Sequence, residues 1–386
     1  MRVSDEMISR TLTSYLQRGR DSIFDLQSQI SSGLRVQRPS DDPGAYSLIR
    51  SYQAQDACAK QFQVNANRMD GRLGMTDTKL RSASEILQRV SELVIAGSDG
   101  TKPPADMKAM GEEVNQYLEE LVSLGNTKYE GEYIFAGLLT NTEPYAVTRT
   151  DGIITAVTYQ GNADTRSVEI GYGVYVPSTL PGSDPSSTNG VFQSENTNLF
   201  LDLIHVRDRL MEGENLVAAE ECSVDAPNII TTQGVYATGG RVRLSSTGTL
   251  PAGLSADVDY FTIRVSDTEI SLAATLEDAL AVPPVAIAFT AGTGQLSVTK
   301  QSLAAITHDL DQITTVLARV GAYEERVNFA KKYLAADVLR AAEGIEREGA
   351  VDVAKVATEM TSRQTAYEAA LAITSKMMNT SLLNYM

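Results

Sequence analysis

Residues 351–386 read VDVAKVATEMTSRQTAYEAALAITSKMMNTSLLNYM. Val353, Val356 and Met360, then Tyr367, Leu371, Thr374, Met378, Leu382 and Tyr385, recur every three or four residues, with one slip at Arg363 and Gln364. That spacing places them on one stripe of a helix, and so thin a stripe needs a second helix to cover it. No Gly or Pro interrupts the stretch. The best match lies near the other end of the chain. Within residues 7–32, Ile8, Leu12, Tyr15, Gly19, Ile23, Leu26 and Ile30 follow nearly the same spacing. If the two ends pair, everything between them is one long excursion from a shared base.

Working inward, Gly33 suits the left-handed cap of the first helix. The run Arg38-Pro39-Ser40-Asp41-Asp42-Pro43 breaks helix twice, and Asp42 before Pro43 is a start signal for the next one. Then Tyr52, Ala59, Phe62, Ala66, Met69, Leu73, Thr76, Leu80, Ala83, Leu87, Val90 and Val94 keep helical spacing, with Gln55 the polar exception. At 1.5 Å per residue this helix is roughly 60 Å long. Gly97, Gly100, Pro103 and Pro104 form a turn, and Met107, Met110, Val114, Tyr117, Leu121 and Leu124 mark a shorter helix packed back as a hairpin.

Next the period changes. Residues 129–192 are rich in Gly, Thr, Tyr and Val, and residues 153–159, 166–170 and 173–176 read as short antiparallel strands. A Pro/Gly/Ser loop follows at 178–190. Helix returns over residues 198–219 through Leu199, Leu203, Val206 and Leu210. Residues 222–300 are β-rich again, with strands expected at 242–244, 260–265, 270–272, 286–289 and 295–298. The last helical tract runs through Leu303, Ile306, Leu310, Ile313, Leu317, Val320, Val327, Leu334, Val338, Ala341 and Ile345, and Gly344 and Gly349 mark a joint before the final helix.

The net charge of −16 argues against nucleic acid as a partner, since phosphates need a basic surface. Residues 1–40 hold six Arg against four Asp/Glu, so the acid sits in the middle of the chain. No run of 18 apolar residues is present, which excludes a membrane-spanning helix, and the N-terminal residues lack the apolar core of a secretory signal. Cys58 and Cys222 read as unpaired small hydrophobes. His205 and His308 have no ligand-spaced partners, so no metal site is expected. No phosphate loop, nucleophile elbow or dinucleotide fingerprint occurs, and Asp41-Asp42 reads as helix capping. The expectation is therefore no catalytic residue, no cofactor and no metal.

The helices near 50–95, 104–125 and 301–345 can form a three-helix bundle by themselves. The two end helices bury too little alone, so they are expected to complete their surface against neighbouring copies.

Several segments resemble the bacterial flagellin family, and most specifically its hook-associated branch at the hook–filament junction. Met1-Arg2-Val3-Ser4 resembles the start of that branch. Ser32-Gly33-Leu34-Arg35-Val36 followed by Arg38-Pro39-Ser40-Asp41-Asp42-Pro43 resembles its signature. Gly131-Glu132-Tyr133-Ile134-Phe135-Ala136-Gly137, Glu143-Pro144-Tyr145 and Tyr159-Gln160-Gly161-Asn162 resemble its segments after the second helix, and Ser381-Leu382-Leu383 is similar to the family's close. The resemblance covers about 1–220 and 301–386. Residues 222–300 instead resemble a small β module of phage tail and other surface proteins.

The resemblance implies an α+β, flagellin-like, elongated helical coiled-coil rod with paired terminal helices and β-rich outer domains. It implies a terminal domain of 1–40 with 350–386, and a helical domain of 41–128, 196–221 and 301–349. A β-hairpin region then spans 129–195, and 222–300 is an inserted module. It further implies an extracellular structural subunit exported without a cleaved signal. Its partners would be copies of itself, flagellin, another hook-associated protein, and the type III export apparatus with a chaperone. Assembly would use Ile8, Leu12, Tyr15, Ile23, Leu26, Ile30, Val353, Val356, Met360, Tyr367, Leu371, Met378 and Leu382. A hinge would use Pro39, Asp42, Pro43, Gly344 and Gly349. Flagellin itself, or a surface-binding protein using 222–300, are the alternatives.

Overall fold

The computed structural model describes residues 5–99, 101–195, 197–213, 216, 219–256, 258–290 and 292–383. In chain order the elements are α1 (Asp5–Ser32), α2 (Pro43–Gly97), α3 (Pro104–Gly125), β1 (Lys128–Tyr129), β2 (Glu132–Tyr133), β3 (Tyr145–Thr150), β4 (Ile153–Tyr159), β5 (Ser167–Gly171), β6 (Val174–Pro177), β7 (Gln193–Ser194) and β8 (Thr197–Asn198). They continue with α4 (Leu199–Glu212), β9 (Ala219–Ala226), β10 (Ile229–Thr231), β11 (Arg241–Ser246), β12 (Asp259–Arg264), β13 (Glu269–Ala273), α5 (Leu276–Leu280), β14 (Leu296–Lys300), α6 (Ser302–Gly349) and α7 (Val353–Leu383). The chain divides into two compact units, one of residues 1–64 with 331–386 and one of residues 65–330.

The unit of residues 65–330 has a helical core to which four helices contribute. Leu80, Leu87 and Val90 of α2 meet Val114, Leu118 and Leu121 of α3, Leu203 and Leu210 of α4, and Ile306, Ile313 and Val320 of α6, all fully or nearly fully buried. The expected three-helix bundle therefore gains α4, whose apolar face packs on α3. The sequence reading carries α4 on to residue 219. The helix stops at Glu212 because Gly213 takes a left-handed cap (φ 73°) and donates to the Arg209 and Leu210 carbonyls. Residues 219–226 are strand β9 instead.

The hairpins β1–β2, β3–β4, β5–β6 and β7–β8 follow, each two-stranded and antiparallel. They share the helical core through an aromatic cluster. Phe135 meets Phe192 edge-on with centroids 5.2 Å apart, and Tyr145 lies 4.8 Å from Phe200. The Pro/Gly/Ser loop is packed rather than loose: Ser178, Thr179, Leu180, Ser183 and Asp184 are buried, and the Gly182 amide donates to the Phe135 carbonyl at 2.8 Å. Gly71, mid-helix in α2, leaves room for Tyr129, whose hydroxyl a methyl group there would overlap.

Residues 219–300 close into a six-stranded barrel in the order β10-β13-β12-β11-β14-β9. Its interior is Ile230, Leu244, Ile270, Leu272, Phe289 and Val298. Closure leaves no strand edge unpaired in the ring. The module enters on β9 and leaves on β14, which are neighbours with Ala219 opposite Thr299. The strand expected at 286–289 is not one. It is an extended loop held by the Ile287 amide donating to the Leu272 carbonyl at 2.7 Å, the Phe289 amide donating to Asn228 Oδ1 at 2.8 Å and the Asn228 amide donating to the Phe289 carbonyl at 3.3 Å.

The other unit holds α1, α7, α2 up to Val64 and α6 from Lys331. α1 packs against α7. Val36, Ala45 and Ile49 form a small core at the elbow with Tyr46 and Ile345.

Candidate assembly surface

Along α1, Leu26 is the best-buried seam residue, with Leu12, Gly19, Ile23 and Ile30 half-buried. Along α7, Val356 is buried and Met360, Tyr367, Ala370 and Thr374 are half-buried. The helices approach closely where Gly19 meets the Tyr367 ring; a Cβ on Gly19 would stand 3.2 Å from ring carbon Cδ2. The seam is narrow. Tyr15 is 61 % exposed, Val353 51 % and Leu371 43 %, so these expected seam residues lie outside the intrachain contact. Ala370 takes the inward position after Tyr367 because the slip at Arg363 and Gln364 turns the face by one residue. The side chains of Ile8, Met378 and Leu382 lie outside the described residues.

Phe24 and Ile373 are also exposed on these helices, and the sequence reading did not single them out. Both sit one position off the expected stripe, and that offset was the available signal. The α1–α7 pair therefore keeps Tyr15, Phe24, Val353, Leu371 and Ile373 exposed to solvent.

The elbow joins these helices to α2 and α6. Gly33 has φ 71°, the left-handed cap expected of it. The Arg35 amide donates to the Gly349 carbonyl at 2.7 Å and the Val351 amide to the Gly33 carbonyl at 3.1 Å, so the two connections run side by side. Arg35 adds a bond to the Glu348 carbonyl at 2.8 Å and an ion pair with Asp42 at 3.1 Å. Asp42 caps α2: its Oδ1 accepts the Ala45 amide at 3.1 Å, and Pro43 is the first helical residue. That amide, with Arg35 second, holds the Asp42 carboxyl below its ordinary range. Asp41 accepts the Arg38 and Gln37 amides at 2.8 and 3.0 Å and is lowered by them in the same order. Pro39 sits exposed in the turn.

Gly349 ends α6 at this junction, beside Ile49 and Leu34. Gly344 is not at the joint. It lies inside α6 and faces Tyr52, whose ring atoms would stand 2.8 Å from an added Cβ. Close packing, rather than a break, calls for glycine there. Arg35 and Asp41 carry much of the elbow and were not among the expected hinge residues.

Among the described residues no group of three or more His, Cys, Asp or Glu side chains could hold a metal ion, and no helix is long and apolar enough to cross a membrane. Burial pushes His205 down to about 4. The two cysteines are free. At the barrel, Asp202 of α4 and Asp309 of α6 are buried near Arg241 of β11, and neither carboxylate oxygen of Asp309 has a hydrogen-bond partner. A cavity of about 230 Å³ lies beside this cluster, lined by Asp202, His205, Arg209, Arg241 and Lys300 among others.

A family model of the bacterial flagellin N-terminal helical region matches residues 3–140, and one of the flagellin C-terminal helical region matches residues 303–386. Together they take in more than half of the chain. Flagellar hook-associated protein 3 of Escherichia coli is 25 % identical over 206 residues, covering 52 % of this chain and 63 % of that protein. Its Salmonella typhimurium counterpart is 25 % identical over 224 residues, covering 56 % and 69 %. The fold is similar to that of a flagellar hook-associated protein from Vibrio parahaemolyticus, with TM-score 0.50 and 16 % identity over 80 % of this chain and all of that one.

Proposed function

We propose, starting from a chain that belongs to the flagellin family, that it is a structural subunit joining the flagellar hook to the filament and assembling through α1 and α7. The observation that carries this reading is the α1–α7 pair, which is helical and paired within one chain yet leaves Tyr15, Phe24, Val353, Leu371 and Ile373 in water. Burial of their remaining apolar area against a neighbouring subunit stabilises by roughly 25 cal/mol per Å². The relatives named hook-associated protein 3 favour the junction over the bulk filament, because they align over more of this chain than the flagellins do, 52–56 % against 33 %.

On this reading the partners are copies of the chain, another hook-associated protein on the hook side and flagellin on the filament side. The chain works outside the cell on the flagellum, reaches it through the type III export apparatus with a chaperone and no cleaved signal, and catalyses nothing. The elbow of residues 33–43 and 349–352 is the hinge between the terminal helices and α2 with α6. Replacing Pro39 and Pro43 together by Ala impairs swimming while secretion continues; normal swimming in that variant would remove the hinge.

Deleting the gene tests the whole reading. Electron microscopy of the cells should show hooks without filaments, with flagellin shed into the medium. Hooks that still carry full filaments would reject the junction role. A second reading rests on the barrel, which lies outside both matched helical regions. Removing residues 222–300 would then abolish binding to an external surface while filaments persist.

A further inference from the structure

The elbow unit carries a hollow that no described residue fills. Leu34, Ala342 and Ala350 are exposed along it, Ile345 is half-buried at its side, and Gly33 adds no side chain. Its volume is about 410 Å³ and its lining is mainly apolar. On the rim, Lys60 pairs with Asp56 at 2.7 Å, which leaves Glu346 as the acid without an ion pair among the described residues.

The same unit carries a side chain of the complementary kind. Phe24 on α1 is 67 % exposed, off the α1–α7 seam. Its own surroundings are a different, polar hollow lined by Asp25, Gln29, Arg35, Arg38 and Asp41, so it does not occupy the apolar groove of its own chain. One turn earlier on the same face is Arg20, whose side chain is 73 % exposed and lies 3.9 Å from Asp21.

We propose that Phe24 of one subunit seats in the groove formed by Leu34, Ala342, Ile345 and Ala350 of the next, with Arg20 meeting Glu346. This rests on the assembly reading above and adds the contact that sets the order of copies. Knob and groove are different surfaces of one molecule, so the contact is head-to-tail. Its repetition builds a ring or a helix and not a closed pair. One aromatic side chain covers about 150–250 Å², well under the ~800 Å² per partner of a stable free complex. Two free copies therefore stay apart, and the contact forms only where the terminal helices already hold neighbours together, at raised effective concentration.

The test is cross-linking of the full chain in assembled flagella. Cys58 and Cys222 are replaced by Ala, and Phe24→Cys and Ala342→Cys are introduced together. Oxidation should give a ladder of linked copies from flagella, nothing from the secreted monomer, and no ladder with either cysteine alone. Assembled flagella with no ladder would overturn the proposal while leaving the junction role intact. Should the cysteine pair block assembly, charge reversal decides instead. Arg20→Glu should lower the fraction of filamented cells about tenfold, and adding Glu346→Arg should restore it; failure to restore overturns the contact. A gene deletion that still bears filaments would be the separate failure of the junction reading.

Discussion

The barrel of residues 219–300 and the α1–α7 pair treat apolar side chains in opposite ways. In the barrel every strand has two neighbours, and Ile230, Leu272 and Val298 are removed from water altogether. The terminal pair has one contact line, buries Leu26 and Val356, and leaves Phe24, Leu371 and Ile373 outside. A sheet that closes on itself finishes its core within one chain. Two helices alone cannot, because each offers only a stripe to the other. Apolar side chains thus complete a core in one place and stay partly in water in the other.

The sharpest way to break that comparison is to empty the barrel. Leu272 is fully buried between β12 and β10, and Leu272→Ala should cost about 2–5 kcal/mol. Denaturant unfolding of the full chain would read it, and a loss under ~1 kcal/mol would show the barrel to be loosely packed. No substitution of a single residue in the α1–α7 seam should cost the monomer as much.

A pH experiment probes the next largest effect, at the contact between barrel and helices. Burial raises the carboxyl groups of Asp202, to about 7, and of Asp309 above their ordinary 3.8, and Arg241 only partly offsets this. A raised carboxyl binds protons on folding, so its stability is whole below the ordinary value and is lost as the pH rises, through about 7 for Asp202 and likewise upward for Asp309. Asp309→Asn removes that loss. It should stabilise the protein by on the order of 1–3 kcal/mol near pH 8 and hardly at all near pH 4. Equal Tm changes at both pH values would mean that the carboxyl is not the cause.

Smaller still is the cap of α4, where Asn198 Oδ1 accepts the Leu201 amide at 3.2 Å. Asn198→Ala should lower stability by about 1 kcal/mol. The smallest effect on the monomer is the most informative about the terminal pair. Leu371→Ser on the exposed face of α7 should move the melting free energy by less than ~0.5 kcal/mol, yet suppress incorporation into flagella. A large loss of monomer stability there would place Leu371 in an intrachain core and erase the contrast.

Much of this was legible from the residues. Helical spacing located α1, α2, α3, α6 and α7, and Gly33 and Asp42-Pro43 marked the ends at the elbow, because caps and prolines act locally. The strands at 153–159, 166–170 and 173–176 were legible for the same reason. What failed depends on distant partners. Gly213 stops α4 six residues before the apolar pattern fades. Residues 286–289 alternate like a strand, yet their backbone bonds run to Leu272 and Asn228 and form no ladder. Gly344 reads as a break until Tyr52 is seen against it. At the candidate surface the stripe itself was visible, while its orientation was not. Which of Ala370 and Leu371 faces α1 depends on how one slip at Arg363 and Gln364 is absorbed, and three-residue spacing cannot say.

The neighbouring entry and exit strands of the barrel have a consequence for how such a protein changes over time. Ala219 and Thr299 are cross-strand partners, and paired residues of this kind sit only about 5 Å apart. The chain therefore leaves and re-enters the helical host at one point, although α4 and α6 also pack on the barrel through Leu201, Asp202 and Asp309. Any domain whose two ends emerge side by side could be plugged in, exchanged or lost there without rethreading α4 or α6. Recombination can then exchange the module while the sequences of α1 and α7 stay untouched.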